Sequence, residues 1–365
     1  MKRSFFLAFI TIGVLAIGSK GYAQTTQKLS ATKANDYALV YTLPKTAIDI
    51  TIVTRKTVEM PGEFYKYAKS ILNIDNPISR QSINYTIDKI LIATHGEPDI
   101  EARYAVKFSS GSTPFILLGP DNIPLSVNTE DIYEPVKVEI PEPVKAKPTP
   151  LQNPAARQVV TEEMMRSTTP LRRAQSAAEQ LYTLRQSRTD LLTGQADQMP
   201  PDGQAMQLVL DNLNAQEAAL TAMFVGTRQT STQIRTYTFI PEANQQKVDN
   251  YVIARLSTTE GLVDADDLSG APIMLNYNVI MKGEMPKNEK GVELTFPKNG
   301  FAYCIPGKAN VEIIMDGHDL AKSTLSIAQA GVIYGLAPNS FTDKKAPMYL
   351  IFDPATGAAV EIGSK

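Results

Sequence analysis

Two histidines, one cysteine and a few clusters of charge are the parts of this chain that could do chemistry. His95 stands in Thr94-His95-Gly96-Glu97-Pro98-Asp99, and His318 in Asp316-Gly317-His318-Asp319. An imidazole beside carboxylates can shuttle protons near neutral pH or supply one ligand of a divalent metal site. The same residues also spell turns. Gly-Glu-Pro-Asp suits a surface turn after a strand, and Asp-Gly is a strong hairpin signal, so we read turns at both positions. Asp264, Asp266 and Asp267 bring hard oxygen donors close together, as calcium requires. The EF-hand pattern then breaks, with Leu268 where the fifth-position ligand belongs and Ser269 where the glycine belongs. These aspartates read as a solvated turn, with a calcium site of another type as the weak alternative. Cys304 has no histidine near it in sequence, so a thiolate nucleophile would need His95 or His318 to meet it in space. Between Tyr303 and Ile305 it reads as a buried strand residue.

Arg185 and Arg188 sit one helical turn apart, so their guanidinium groups can point the same way. Asp197 and Asp202 come next, and the four are expected around the tip of a helical hairpin. They could hold an anion or another chain's carboxylates, or they could satisfy the tip loop's own polar groups. We take Arg185, Arg188, Asp197 and Asp202 as candidate partner-binding residues. No catalytic residue and no cofactor is assigned. The chain has no G-x-S-x-G elbow, no P-loop, no G-x-G-x-x-G after a strand and no H-E-x-x-H pair.

The elements that would position these residues can be read from apolar spacing. Ile48, Ile50 and Ile52 recur at the two-residue period of a half-buried strand. Further strands are expected around Tyr85–Ile92 and Tyr104–Phe108. Phe115–Leu118 and Pro124–Val127 flank Gly119-Pro120-Asp121-Asn122 as a hairpin. One short helix, from about Glu63 to Leu72, interrupts them. Pro135, Pro141, Pro143, Pro148, Pro150 and Pro154 then mark an extended, semi-rigid connector. It is expected to let the first lobe adjust relative to the helical hairpin.

Next the period becomes helical. Ala174, Ala177, Leu181, Leu184 and Leu191 form one stripe, with Thr169 as cap, Pro170 in the first turn and Gly194 as the stop. Met206, Leu210, Leu213, Leu220 and Phe224 form a second, from a cap at Asp202 to Gly226. A short link makes the two helices antiparallel. Such a pair cannot bury its whole stripe alone. Strands resume after Thr227. The expectation is an α+β fold: an N-terminal β-rich domain (24–133), a proline-rich linker (134–160), a helical hairpin (161–230) and a C-terminal β-rich domain (231–365).

Residues 1–23 read as a cleavable export signal. Lys2 and Arg3 precede an apolar run from Phe5 to Ile17, and Gly21-Tyr22-Ala23 supplies small residues for cleavage. The run is shorter than the roughly 20 apolar residues a bilayer span needs, and no other stretch approaches it. Without the signal, 33 basic face 38 acidic residues, a net charge of −5. That balance, with no basic cluster, argues against nucleic-acid binding. Tryptophan is absent, so any glycan stacking would fall to tyrosine.

Four segments carry a resemblance: Pro61-Gly62-Glu63-Phe64-Tyr65-Lys66-Tyr67-Ala68, the hairpin tip Leu191–Gly194 through Met199–Gly203, Asp264–Gly270, and Phe352-Asp353-Pro354-Ala355-Thr356-Gly357. In this order, after an export signal, the chain resembles a family of exported Bacteroidota proteins catalogued as a domain of unknown function. The resemblance implies a Gram-negative envelope location and brings no catalytic residues. The expected role is a structural or protein-interaction component of the periplasm or outer membrane, with an envelope protein as partner. The alternatives are a binding module for a glycan, lipid or peptide and, third, an acid-pair hydrolase, which needs no histidine. Oligomeric state is not legible.

Overall fold

The computed structural model describes residues 38–107, 114–200, 203–297, 300–341 and 347–364. The expected export signal and Asp202 lie outside these residues. Strands β1 (Ala38–Met60) and β2 (Ser82–Lys107) form a long antiparallel pair. Their connection holds a 3₁₀ turn (Tyr65–Tyr67) and α1 (Ala68–Leu72), where the sequence predicts one short helix. Then come β3 (Ile116–Leu118) and β4 (Pro124–Val127), paired as the expected hairpin. After the proline-rich stretch come α2 (Glu162–Arg166), α3 (Pro170–Thr193) and α4 (Gly203–Val225). The rest is β5 (Thr227–Phe239), β6 (Lys247–Ser257), β7 (Gly261–Val263), β8 (Ala271–Met281), β9 (Phe301–Met315), β10 (His318–Leu336), β11 (Met348–Phe352) and β12 (Ala359–Ser364). The chain is α+β, with the helical hairpin in place.

The strands form three sheets, ordered β2-β1-β5, β10-β9-β8-β6-β7 and β12-β11-β4-β3. Strands from the two β-rich stretches share two of them. β1 pairs with β5 from Ile48↔Phe239 to Met60↔Thr227, and β4 pairs with β11 through Val127↔Leu350. A strand's apolar alternation sets which face it buries. It does not name the strand that satisfies its edge hydrogen bonds.

The β1–β2 pair is the spine along which three cores are arranged. In its middle, Ile48, Ile50 and Ile52 pack on Ile273, Leu275, Val311 and Ile313 of the five-stranded sheet. Toward the N-terminal end of β1, Tyr41, Leu43, Tyr104 and Val106 pack on Phe301, Leu350 and Phe352. Beyond the other end, Phe64 and Ala68 enter the helical core. The Asp353–Gly357 segment joins two of these regions. Asp353 accepts hydrogen bonds from the Ala355 amide (2.9 Å) and the Thr356 hydroxyl (2.7 Å). The Ala355 carbonyl in turn accepts one from the buried Thr46 hydroxyl of β1 (3.0 Å). The segment singled out by resemblance is thus a brace between β1 and the chain's last strands.

The connector runs without regular strand through its prolines, as their missing N–H donors require. It is docked at two places. The Thr232 amide of β5 donates to the Val144 carbonyl (2.9 Å), and Val144 N–H donates to the Thr232 hydroxyl (2.7 Å). Farther on, Ala156 and Val159 are buried against the hairpin. These contacts fasten it to both neighbours, whereas the sequence suggests a spacer that lets the first lobe adjust.

Candidate functional site: the helical hairpin

The hairpin begins where local chemistry says it should. The Thr169 side chain accepts the Arg172 N–H at 3.4 Å, and Pro170 fills the first turn. Gly194 closes α3 in the left-handed region at φ 74°, a conformation costly for a residue with a Cβ. Gly226 closes α4 at φ 90°, and Thr227 already pairs with Met60 of β1.

Three zones succeed one another along the pair. The base is an apolar core. Ala174, Ala177, Ala178 and Leu181 of α3 meet Ala219, Leu220, Ala222 and Phe224 of α4, and small residues let the helices approach. Phe64, Ala68, Ala156, Val159 and Met164 cover this base from outside. The Phe64 amide donates to the Met223 carbonyl at 2.7 Å, and the Phe64 and Phe224 rings stand 5.4 Å apart.

Above the base lies a polar layer. Arg185 Nε donates to Glu217 Oε1 at 2.8 Å, and Arg188 Nη1 reaches Glu217 Oε2 at 2.7 Å and Asn214 Oδ1 at 3.2 Å. The Glu217 side chain is only 16% exposed, whereas those of Arg185 and Arg188 are 43% and 37% exposed. Two cations therefore share one carboxylate.

Beyond this layer the packing thins. Leu191, Met206, Leu210 and Leu213 are half-buried, and Leu192, Met199, Leu208 and Val209 are exposed, Leu208 by 71%.

The structure brings Arg185 and Arg188 together on Glu217 and not on Asp197. Asp197 is exposed in the link, and Arg188 stands about one and a half turns below the end of α3. The residue sequence reasoning missed is Glu217. The signal was there, a charge at helical spacing between Leu213 and Leu220 on an otherwise apolar stripe.

The other candidates fall elsewhere. His95 lies inside β2, opposite Ala47, where the sequence predicts a turn. β2 tolerates Pro98 because it sits opposite Pro44 at a register irregularity, where ladder bonds are already broken. His95 Nδ1 is 2.6 Å from Asp49 Oδ2, and the Thr238 hydroxyl donates to Asp49 Oδ1 at 2.7 Å. The hydroxyl thus serves the carboxylate and not the imidazole, so the trio is no nucleophile–base pair. His318 comes after a two-residue turn in which Asp316 (φ 51°) and Gly317 (φ 76°) both take positive φ, as the Asp-Gly signal predicts.

Asp264, Asp266 and Asp267 are all exposed. Asp267 accepts the Ser269 amide at 2.9 Å, which holds its carboxyl below the usual range. Arg255 braces the loop through the carbonyls of Ala265 and Gly270. Among the described residues, no group of three acidic, histidine or cysteine side chains is placed to hold a metal. Cys304 is buried, and burial pushes its thiol up to about 12, which keeps it protonated and unreactive near neutral pH.

A model of the family described as Domain of unknown function (DUF4831) matches residues 37–360. The chain belongs to that family. The match runs from the edge of β1 into β12, so the family unit takes in all three sheets and the hairpin. No curated protein and no solved structure matches the chain.

Proposed function

We propose that this is an exported cell-envelope protein that acts as a structural or protein-interaction component, with the outer half of the helical hairpin as its contact surface. The export part of this reading rests on residues 1–23, and it places the mature chain in the periplasm or against the outer membrane of a Gram-negative bacterium. No described helix is long and apolar enough to cross a membrane.

One observation carries the interaction part. The base of the hairpin is covered by two separate stretches of chain, the β1–β2 connection and the end of the connector with α2, whereas Leu192, Met199, Leu208 and Val209 at the outer end are exposed. Apolar side chains left in water on a rigid arm favour association with a neighbouring surface. The partner is an envelope protein whose apolar patch covers that end.

The test is a photo-crosslinking residue at Leu192 or Leu208 in intact envelopes, with Val360 on β12 as the control. Both hairpin positions should capture one common protein that the Val360 position does not. Absence of any adduct at the hairpin, or the same adducts from Val360, would sink the contact surface. Recovery of the mature chain from the cytosol would sink the export reading.

A further inference from the structure

We infer that the trough between the proline connector and α4 is a carboxylate-binding site, in which Arg185 and Arg188 receive an acidic side chain of an extended partner segment. This goes beyond the interaction reading: the trough runs from the polar layer toward the base of the hairpin and is a second contact, distinct from the exposed outer turns.

Two depressions of ≈ 450 and ≈ 420 Å³ adjoin along α4 and share Pro150 and Ala218 as lining. Pro148, Thr149 and Pro150 form one wall. Ala215, Ala218 and Ala222 keep the helix side low, and Arg185, Arg188 and Glu217 stand at one end. The shape suits an extended chain lying against prolines and alanines.

The charge at that end is unbalanced. Glu217 neutralises one of the two arginines, and each guanidinium offers five donors in a fork suited to carboxylates. One positive charge is left over in the layer, and the Arg185 and Arg188 side chains remain 43% and 37% exposed. A second carboxylate entering the trough completes a two-arginine, two-carboxylate layer and leaves Glu217 in place. The chemistry that fits is therefore an anionic side chain carried on an uncharged, extended backbone.

The probe is an acetylated, amidated peptide of alternating Glu and Ala, titrated into the purified mature chain and monitored by the amide resonances of Ala215, Ala218 and Thr221. A Lys/Ala peptide and inorganic phosphate serve as comparisons. We expect saturable shifts with the Glu peptide alone. Arg188→Gln should weaken its binding roughly tenfold and Arg188→Lys less. Glu217→Gln, which frees both arginines, should strengthen it about fivefold.

The opposite signs matter. A purely structural Arg–Glu layer would make both variants less stable and change binding in neither, and that result overturns the proposal. So does an absence of shifts, or equal shifts with the Lys peptide. Shifts with phosphate but not with the Glu peptide would show a general anion site and also overturn it. If Arg188→Gln loses its helix content by circular dichroism, the Glu217→Gln arm still decides. Crosslinking at Leu192 can succeed while this titration fails, so the two readings are separable.

Discussion

The base and the outer half of the hairpin are built from the same two helices but sit in opposite environments. At the base, Leu181, Leu220 and Phe224 are fully buried, because the β1–β2 connection, the connector and α2 all close over them. At the outer end, Leu192 and Leu208 keep two-thirds or more of their surface in water. Helix propensity and apolar spacing are similar in both halves. What differs is the tertiary cover, and the Arg185–Arg188–Glu217 layer marks where it stops. The lesson is that an apolar stripe predicts a need for burial, and only the fold shows which part of the need goes unmet.

The contrast can be broken most forcefully at the base. Phe224→Ala should cost roughly 3–5 kcal/mol, since it leaves a cavity among groups that cannot collapse onto it. Urea denaturation would measure this. A loss below about 1 kcal/mol would mean the base is no better packed than the tip.

Next comes the exit from α4. Gly226→Ala puts a Cβ at φ 90° and within 2.5 Å of the Met60 carbonyl. The expected loss is about 1–3 kcal/mol, read from the shift in thermal midpoint. The corresponding change at Gly194, where a Cβ meets nothing within 4 Å, should cost less, because backbone strain acts there without a clash.

The polar layer tests the boundary itself. Glu217→Gln should lower stability by about 1 kcal/mol, a modest amount because both arginines are partly solvated. Hydrogen exchange should then quicken in the outer turns of α3 and α4 while the base stays protected. Uniform quickening along both helices would erase the distinction between the halves.

The smallest stability effect belongs to the tip. Leu208→Asp should change folding stability by less than about 0.5 kcal/mol. It should nonetheless abolish the crosslink from Leu192. A large destabilisation would show that the tip is already covered within the chain.

Much of this fold was legible in the sequence, and the legible parts share a cause. Thr169, Pro170, Gly194 and Gly226 mark the helix ends because capping is settled by residues within one turn. Asp316 and Gly317 mark their turn because positive φ is a property of the residues themselves. His95 was misplaced for a related reason. Gly96, Glu97 and Pro98 are turn formers locally, but β1 supplies a continuous partner that holds them extended. The candidate site was half legible. The arginine pair was visible at helical spacing, but its partner Glu217 stands 29 residues beyond Arg188.

By itself the sequence determined the α+β class, the strand faces and the two antiparallel helices with their ends, since periodicity and capping are short-range. It also determined the family, whose model spans residues 37–360. Only the tertiary structure decided that β1 pairs with β5, that the connector is fastened to β5 and the hairpin base, and that Glu217 takes up the two arginines. Each of these depends on a hydrogen bond, an ion pair or an apolar contact between residues far apart in the chain. Such a contact forms when the whole molecule brings its two sides together, and neither side carries the other's address.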